Sequence, residues 1–238
     1  MTALHHKNVR ADADANGDQM TRDEEAHRGE RRGLMLILSS PSGAGKTTLT
    51  RMLLQKQELD FTLSISLTTR KRRSSEADGI HYHFIEKSEF ERRRDAGDLL
   101  EYAEVHGNFY GSPREKVEAI LSQGRDVLFD IDYQGARQVR EKMPQDVVTV
   151  FILPPSMSEL RARLERRAED SQDTIAKRLD NARHEIGRWA DYDFVLVNDD
   201  IQKTFNDLQS IVRAERLRRP RVAKGMGEFV ARLLAEKV

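Results

Sequence analysis

The stretch Leu34-Met35-Leu36-Ile37-Leu38-Ser39-Ser40-Pro41-Ser42-Gly43-Ala44-Gly45-Lys46-Thr47-Thr48-Leu49-Thr50-Arg51-Met52-Leu53-Leu54 reads as strand, loop and helix in direct succession. Leu34 to Leu38 form the short, continuous apolar run expected of a strand buried on both faces of a parallel sheet. The small residues and proline that follow cannot continue it, and Leu49, Met52 and Leu53 then recur at helical spacing. Between the two lies Gly43-Ala44-Gly45-Lys46-Thr47, the core of a phosphate loop, in which backbone N–H groups and the helix N-terminus wrap nucleotide phosphates. Glycine lets the backbone approach an anion without a Cβ in the way. At this spacing Lys46 supplies a point charge for the β and γ phosphates and Thr47 a hydroxyl ligand for Mg²⁺. Ser42, Gly43, Ala44, Gly45, Lys46, Thr47 and Thr48 are therefore the expected contacts to a nucleoside triphosphate, ATP or GTP. One departure from G-x-x-x-x-G-K-[ST] stands out, since Ser40 occupies the place of the first glycine.

Outward from this loop, three more buried strands are expected, at Val127 to Asp132, Val147 to Leu153 and Phe194 to Asn198, with helical segments between them. Strands alternating with helices imply a parallel α/β sheet whose ligand site lies at the C-terminal strand ends. Asp130 and Asp132 close the second of these strands, where positions i and i+2 put both side chains on one face, and two buried carboxylates there suggest an ion or ligand. Residues about 65 to 112 break the alternation with short polar, aromatic runs such as His81-Tyr82-His83-Phe84, which imply a small mixed β insertion. Residues about 156 to 190 are helical in pattern and rich in arginine. Glu165, Glu169, Asp173 and Glu185 are interspersed there, so a solvated face of i,i+4 pairs is the plain alternative.

The composition narrows the chemistry further. The chain has 238 residues, with 40 Lys+Arg balancing 40 Asp+Glu, so any affinity for phosphate is local and no global field draws it to nucleic acid or an anionic membrane. No apolar run approaches the roughly 20 residues of a membrane span, and the N-terminus lacks the apolar stretch of a secretory signal. A cytoplasmic protein is expected. The absence of cysteine removes thiol nucleophiles, cysteine-ligated zinc and redox switching. Residues 1–32 have almost no apolar periodicity and read as a disordered extension, with a weak helix near Arg22 to Arg32 as the alternative. His5 and His6 have no ordered carboxylate or third imidazole in reach and are assigned no metal.

Three further motifs narrow the class. Ser64-Ile65-Ser66-Leu67-Thr68-Thr69-Arg70-Lys71-Arg72-Arg73, then Asp78 to Phe84, then Glu101-Tyr102-Ala103-Glu104-Val105-His106-Gly107-Asn108-Phe109-Tyr110-Gly111-Ser112 resemble the guanylate kinase family. That family runs S-x-S-x-T-T-R-x-x-R, then G-x-x-Y-x-F, then E-[WY]-A-x-[VF]-x-G-N-x-Y-G. The resemblance covers residues about 33 to 216. It implies an α/β fold with a P-loop nucleotide-triphosphatase sheet flanked by helices, a small mixed β insertion for GMP and a helical lid. The core would take residues 33–64, 113–155 and 191–238, the insertion 65–112 and the lid 156–190.

The implied activity is ATP:GMP phosphotransfer giving ADP and GDP, with Mg²⁺ as cofactor, GMP and dGMP as acceptors, and no nucleic-acid or membrane partner. By the same resemblance Arg70, Arg73, Tyr82 and Tyr110 hold the acceptor phosphate. Guanidinium forks suit a monophosphate of about −1.5 to −2 charges, and tyrosine hydroxyls add hydrogen bonds without charge. Glu101 and Ser66 resemble the pair that reads guanine, with Ser112 and Asp132 as further base contacts. Asp130 is assigned to the phosphate side and, through water, to Mg²⁺; the opposite split with Asp132 stays open. Lys46 and Arg70, with Arg163, Arg167 and Arg178 of the lid, form the implied catalytic set. Arg166-Arg167-Ala168 stands where the family commonly has G-R-G, so Arg166 competes for the role of Arg167. Asn198 resembles the residue placed near the adenine of ATP. An already ionised phosphate attacks, so no general base is needed and catalysis reduces to alignment and charge stabilisation. The alternatives are a related kinase of a sugar phosphate such as ribose 1,5-bisphosphate, and an inactive phosphopeptide-binding module.

Overall fold

The structure, a computed structural model, describes residues 31–166 and 171–236. In chain order it contains β1 (Met35–Ser39), α1 (Lys46–Gln55), β2 (Phe61–Leu63), β3 (Leu67–Thr68), β4 (His83–Phe84), α2 (Lys87–Asp95), β5 (Leu99–Val105), β6 (Asn108–Pro113) and α3 (Arg114–Ser122). There follow β7 (Asp126–Phe129), α4 (Tyr133–Lys142), β8 (Val147–Leu153), α5 (Met157–Arg166), α6 (Gln172–Ile186), β9 (Phe194–Val197), α7 (Ile201–Arg216) and α8 (Arg219–Ala235). The described strands form a five-stranded sheet in the order β2-β7-β1-β8-β9 and a four-stranded sheet in the order β4-β3-β6-β5.

Every pairing in the larger sheet is parallel, with β1 at its centre and all five of its residues buried. A strand covered on both faces needs a continuous apolar run, because alternate residues enter two different cores. Leu36 and Leu38 pack with Leu49 and Leu53 of α1 and with Phe205, Leu208 and Val212 of α7. Met35 and Ile37 pack with Val117 and Leu121 of α3 and Val139 of α4. Helices thus cover both faces, and the phosphate loop leaves the sheet at the C-terminal end of β1.

The smaller sheet is mixed: β3 runs parallel to β4 and antiparallel to β6, which pairs antiparallel with β5. Phe90 of α2 seals its core against Leu67 and Leu99. In the helical segment, Leu160 and Leu164 of α5 pack with Ile175 and Ala182 of α6.

Two expectations change. The strand expected over Val127 to Asp132 ends at Phe129, so Asp130 and Asp132 do not share a strand face, and both are exposed rather than buried. Asp132 instead caps α4, its Oδ1 accepting from the N–H groups of Gln134 at 3.0 Å and Gly135 at 2.9 Å. The free N–H groups of a helix start claim a nearby Asp more strongly than a strand end does. The edge strand β2 was not expected, since three residues with only Phe61 buried carry no apolar run.

Residues 1–30, including His5 and His6, lie outside the described residues, as does Arg167. Arg31 and Arg32, which close the expected extension, are held by ion pairs. Arg31 meets the wholly buried Asp126 at 2.8 Å, and Arg32 meets Asp146 at 2.7 Å and Glu118 at 2.9 Å. Among the described residues no helix is long and apolar enough to cross a membrane, and no group of three or more His, Asp or Glu is placed to hold a metal ion.

Candidate active site

The phosphate loop has the backbone its glycines allow. Gly43 at φ 95° and Gly45 at φ 110° occupy the left-handed region, where a side chain is strained. A Cβ on Gly45 would also stand 2.2 Å from Asn198 Nδ2. That amide donates to the Ala44 carbonyl at 2.7 Å, and Asn198 Oδ1 accepts from Thr204 at 3.2 Å, so the buried Asn198 side chain holds the loop. Ser40 has no positive φ, and its hydroxyl donates to the Pro41 carbonyl at 3.1 Å; the missing first glycine therefore imposes no backbone strain.

Lys46 pairs with Asp130 across the loop. A cavity of about 390 Å³ opens above it, lined among others by Thr47, Asp130, Asp132, Glu185 and Arg188. Ser39 and Tyr192, whose hydroxyls are buried, also line it. Burial pushes the Glu185 carboxyl up, opposed by the charge of Lys46 and reinforced by Asp132. Of the arginines expected here, Arg163 and Arg166 are paired elsewhere. Arg163 donates to Glu159 at 2.9 Å and to the Asn198 carbonyl at 3.1 Å, Arg166 pairs with Glu159 at 2.9 Å, and Arg178 is half-buried on α6; none lines the cavity. Arg188 takes that place, over the Tyr133 ring at 4.4 Å.

The donors around the cavity, the Thr47 hydroxyl and the carboxylates of Asp130 and Asp132, are all oxygen. That set fits a hard divalent cation, which keeps several waters and binds through one or two carboxylates and substrate phosphates.

On the insertion, Glu101 is only 5% exposed. Its strand partner in register is Ser112, whose hydroxyl donates to Glu101 Oε1 at 2.6 Å. Burial is the main cause pushing the Glu101 carboxyl up, and nearby Asp132 adds to it, while the Ser112 hydrogen bond and Lys142 oppose the shift. Arg70 lies over the Tyr82 ring at 5.4 Å, and the Tyr82 and Tyr110 rings meet edge to face at 5.8 Å. Three of the four residues expected around an acceptor phosphate are thus in one cluster. Arg73 is exposed at its border, joined to it through its backbone N–H. Ser66 sits just before β3, its carbonyl accepting from His83 N–H at 2.9 Å.

Sequence reasoning missed Glu76, which accepts from Arg70 and from the Arg73 N–H. Its spacing of three residues after Arg73 was the available signal. Glu185 and Arg188 were visible only as members of a charged helical run.

Comparison with known proteins agrees with this geometry. The family model described as guanylate kinase matches residues 32–215. The guanylate kinase of Agrobacterium fabrum is 60% identical over 207 residues, covering 87% of this chain and 93% of that protein. That of a Chelativorans species is likewise 60% identical over 207 residues, with 87% and 94% covered. The crystal structure of guanylate kinase from Anaplasma phagocytophilum superimposes with a TM-score of 0.61 at 40% identity, covering 81% of this chain and 90% of that one. A phosphate loop facing a mixed β insertion, matched in sequence over most of the chain and in three dimensions, places this protein in the guanylate kinase family.

Proposed function

We propose that this ATP:GMP phosphotransferase divides its reaction between the two clusters described above. The phosphate loop, Ser42 to Thr48, holds the phosphates of ATP, with Lys46 on the β and γ phosphates and Asn198 fixing the loop from behind. Arg70, Arg73, Tyr82 and Tyr110 hold the phosphate of GMP or dGMP. Glu101 accepts from the N1–H and 2-amino group of guanine, Ser66 and Ser112 complete the base site, and Asp132 lies beside it.

The observation that carries this reading is the buried Glu101 carboxylate. Burial makes the ionised form of this 5% exposed carboxyl costly, and Ser112 offsets only part of that cost, so a ligand that supplies further donors is bound strongly there. A base without those donors would leave the carboxylate unpaired, which makes AMP and pyrimidine monophosphates poor acceptors. Thr47 and, through water, Asp130 would hold Mg²⁺, which when bound neutralises charge on the phosphates. Lys46 and Arg70 offset the repulsion between the two anions, and arginines of the lid, Arg163, Arg167 and Arg178, complete the cage when the lid closes. Because Asp130 pairs with Lys46 here, ATP binding exchanges that carboxylate for phosphate oxygens. The protein acts in the cytoplasm, in the recycling of GMP.

The test is initial-rate ADP formation from ATP and Mg²⁺ with GMP, dGMP, AMP, CMP, UMP and ribose 1,5-bisphosphate offered separately. Turnover confined to GMP and dGMP is expected. Turnover with the sugar phosphate alone would keep the phosphate loop and overturn the acceptor site.

A further inference from the structure

Among the described residues β5 is an edge strand that pairs only with β6, and the ladder between them is irregular between Leu99 and Glu101. An edge leaves backbone N–H and C=O groups open on its outer side. Here they are taken by side chains of α4. Gln138 Nε2 donates to the Tyr102 carbonyl at 3.0 Å, and Gln138 Oε1 accepts from the Tyr102 N–H at 3.1 Å. Lys142 Nζ donates to the Leu99 carbonyl at 2.7 Å. Gly135, Gln138 and Lys142 fall at i, i+3 and i+7, one face of the helix. A Cβ on Gly135 would stand 3.2 Å from Glu101 Oε2, so this face lies directly against the carboxylate.

The Tyr102 N–H belongs to the peptide that follows Glu101. Gripping that N–H and the Tyr102 carbonyl holds the two peptides on either side of Tyr102, and the first of them sets the direction in which Glu101 leaves the strand. The ladder to β6 is irregular just before Glu101 and regular again at Glu101–Ser112 and Tyr102–Gly111, so the Gln138 grip adds a second constraint from the outer edge next to that irregularity. The adjoining side of α4 is anchored, with Ala136 and Val139 buried in the core beneath the main sheet, and its start is capped by Asp132 at the phosphate cavity. The carboxamide of Gln138 therefore ties the edge of the insertion to a fixed element of the core.

We propose that Gln138 is a positioning residue for guanine recognition: its carboxamide closes the outer edge of β5 beside Glu101 and holds that residue in register with the purine. This inference rests on the reading of Glu101 as the guanine acceptor. Gln138 touches neither substrate nor the reacting atoms, so its effect falls on GMP binding and base preference and not on the transfer step.

The test compares the full-length parent with Gln138→Met, which keeps the stem and removes both hydrogen bonds, with Glu101→Ala, and with the double variant. GMP and IMP, which lacks the 2-amino group, serve as acceptors. For Gln138→Met we expect the KM for GMP to rise about tenfold and the preference for GMP over IMP to fall about fivefold, with kcat and the KM for ATP within about twofold of the parent. In the double variant, base preference falls no further than in Glu101→Ala, since Gln138 acts through that residue. Parental GMP KM and base preference in Gln138→Met would overturn the inference even if its melting temperature fell, and so would parallel losses for ATP and GMP. If Glu101→Ala itself keeps the parental preference, the acceptor reading fails and this inference with it. Should Gln138→Met not fold, Gln138→Glu, which keeps the acceptor and loses the donor, is judged by the same ratios.

Discussion

The Arg70 guanidinium and the Glu76 carboxylate meet through two hydrogen bonds, Nη2 to Oε1 at 2.7 Å and Nη1 to Oε2 at 3.1 Å. Glu76 Oε2 also accepts from the Arg73 N–H at 2.8 Å. One carboxylate therefore joins both arginines expected at the acceptor phosphate. Arg70 is the main cause holding the Glu76 carboxyl down to about 2, with the Arg73 N–H second. Because its folded value is depressed, the pair stabilises the loop above the ordinary value of 4.5, and that contribution is lost as pH falls towards 2. Glu76→Ala frees the Arg70 side chain, and we expect the KM for GMP to rise about tenfold, equivalent to about 1.4 kcal/mol, with the KM for ATP unchanged. Steady-state kinetics at saturating ATP measures it; an unchanged GMP KM would show that Arg70 is positioned without Glu76.

Lys46→Ala should reduce turnover by about a thousandfold or more, since on the proposed reading it removes the charge held at the β and γ phosphates. Its partner Asp130 has a side chain 58% exposed, so the change in stability should stay within about 1 kcal/mol. Rates and a thermal melt on the same preparation separate the two; a near-parental rate would remove Lys46 from the reaction.

Glu101 must be ionised to accept from guanine, and its carboxyl is pushed above 4.5, chiefly by burial. The kcat/KM for GMP should therefore begin to fall on acidification at a higher pH than for an ordinary carboxylate. Glu101→Gln, measured over the same range, should lose that component and discriminate poorly against AMP. The sign for stability is opposite to that of Glu76. The folded state holds this proton longer than the unfolded chain, so the contribution is present below 4.5 and is lost as pH rises through the folded value. Superimposable pH profiles for the parent and Glu101→Gln would contradict this account.

Asp126 is wholly buried and accepts from Arg31, from Arg216 Nε at 2.8 Å and from the Leu34 N–H at 2.9 Å. Removing one member of such a buried cluster leaves the others unpaired. Asp126→Asn should lower the unfolding free energy by about 3–5 kcal/mol, read by denaturant unfolding, with kinetics at 25 °C largely kept. A loss below about 1 kcal/mol would show that the arginines find other partners.

Deleting residues 1–30 should leave activity and melting temperature near those of the full chain. Extending the deletion through Arg32 removes the ion pairs to Asp126, Asp146 and Glu118, and should lower the melting temperature by about 4 °C or more. Equal melting temperatures for the two truncations would assign those pairs no net stability.

What the sequence alone determined is local. The buried strand, the phosphate loop and the first helix are legible because a continuous apolar run, two glycines and a Lys-Thr pair each dictate their own backbone within a few residues. The order of the acceptor motifs carried the family and the guanine-reading residues as a resemblance. The tertiary structure decided which partners those residues have. Glu101 is buried because β5 and β6 bring Ser112 opposite it, and because α4 packs against the edge of β5. Asp132 turned from a strand face to a helix cap through competition for free N–H groups, and Arg163 turned to Glu159 and the Asn198 carbonyl, which lies 35 residues away in the chain. Gln138 and Tyr102 are 36 residues apart, and nothing in the spacing of either marks the other. Contacts of this kind depend on strand register and on how helices seat against sheet edges, which local periodicity does not encode.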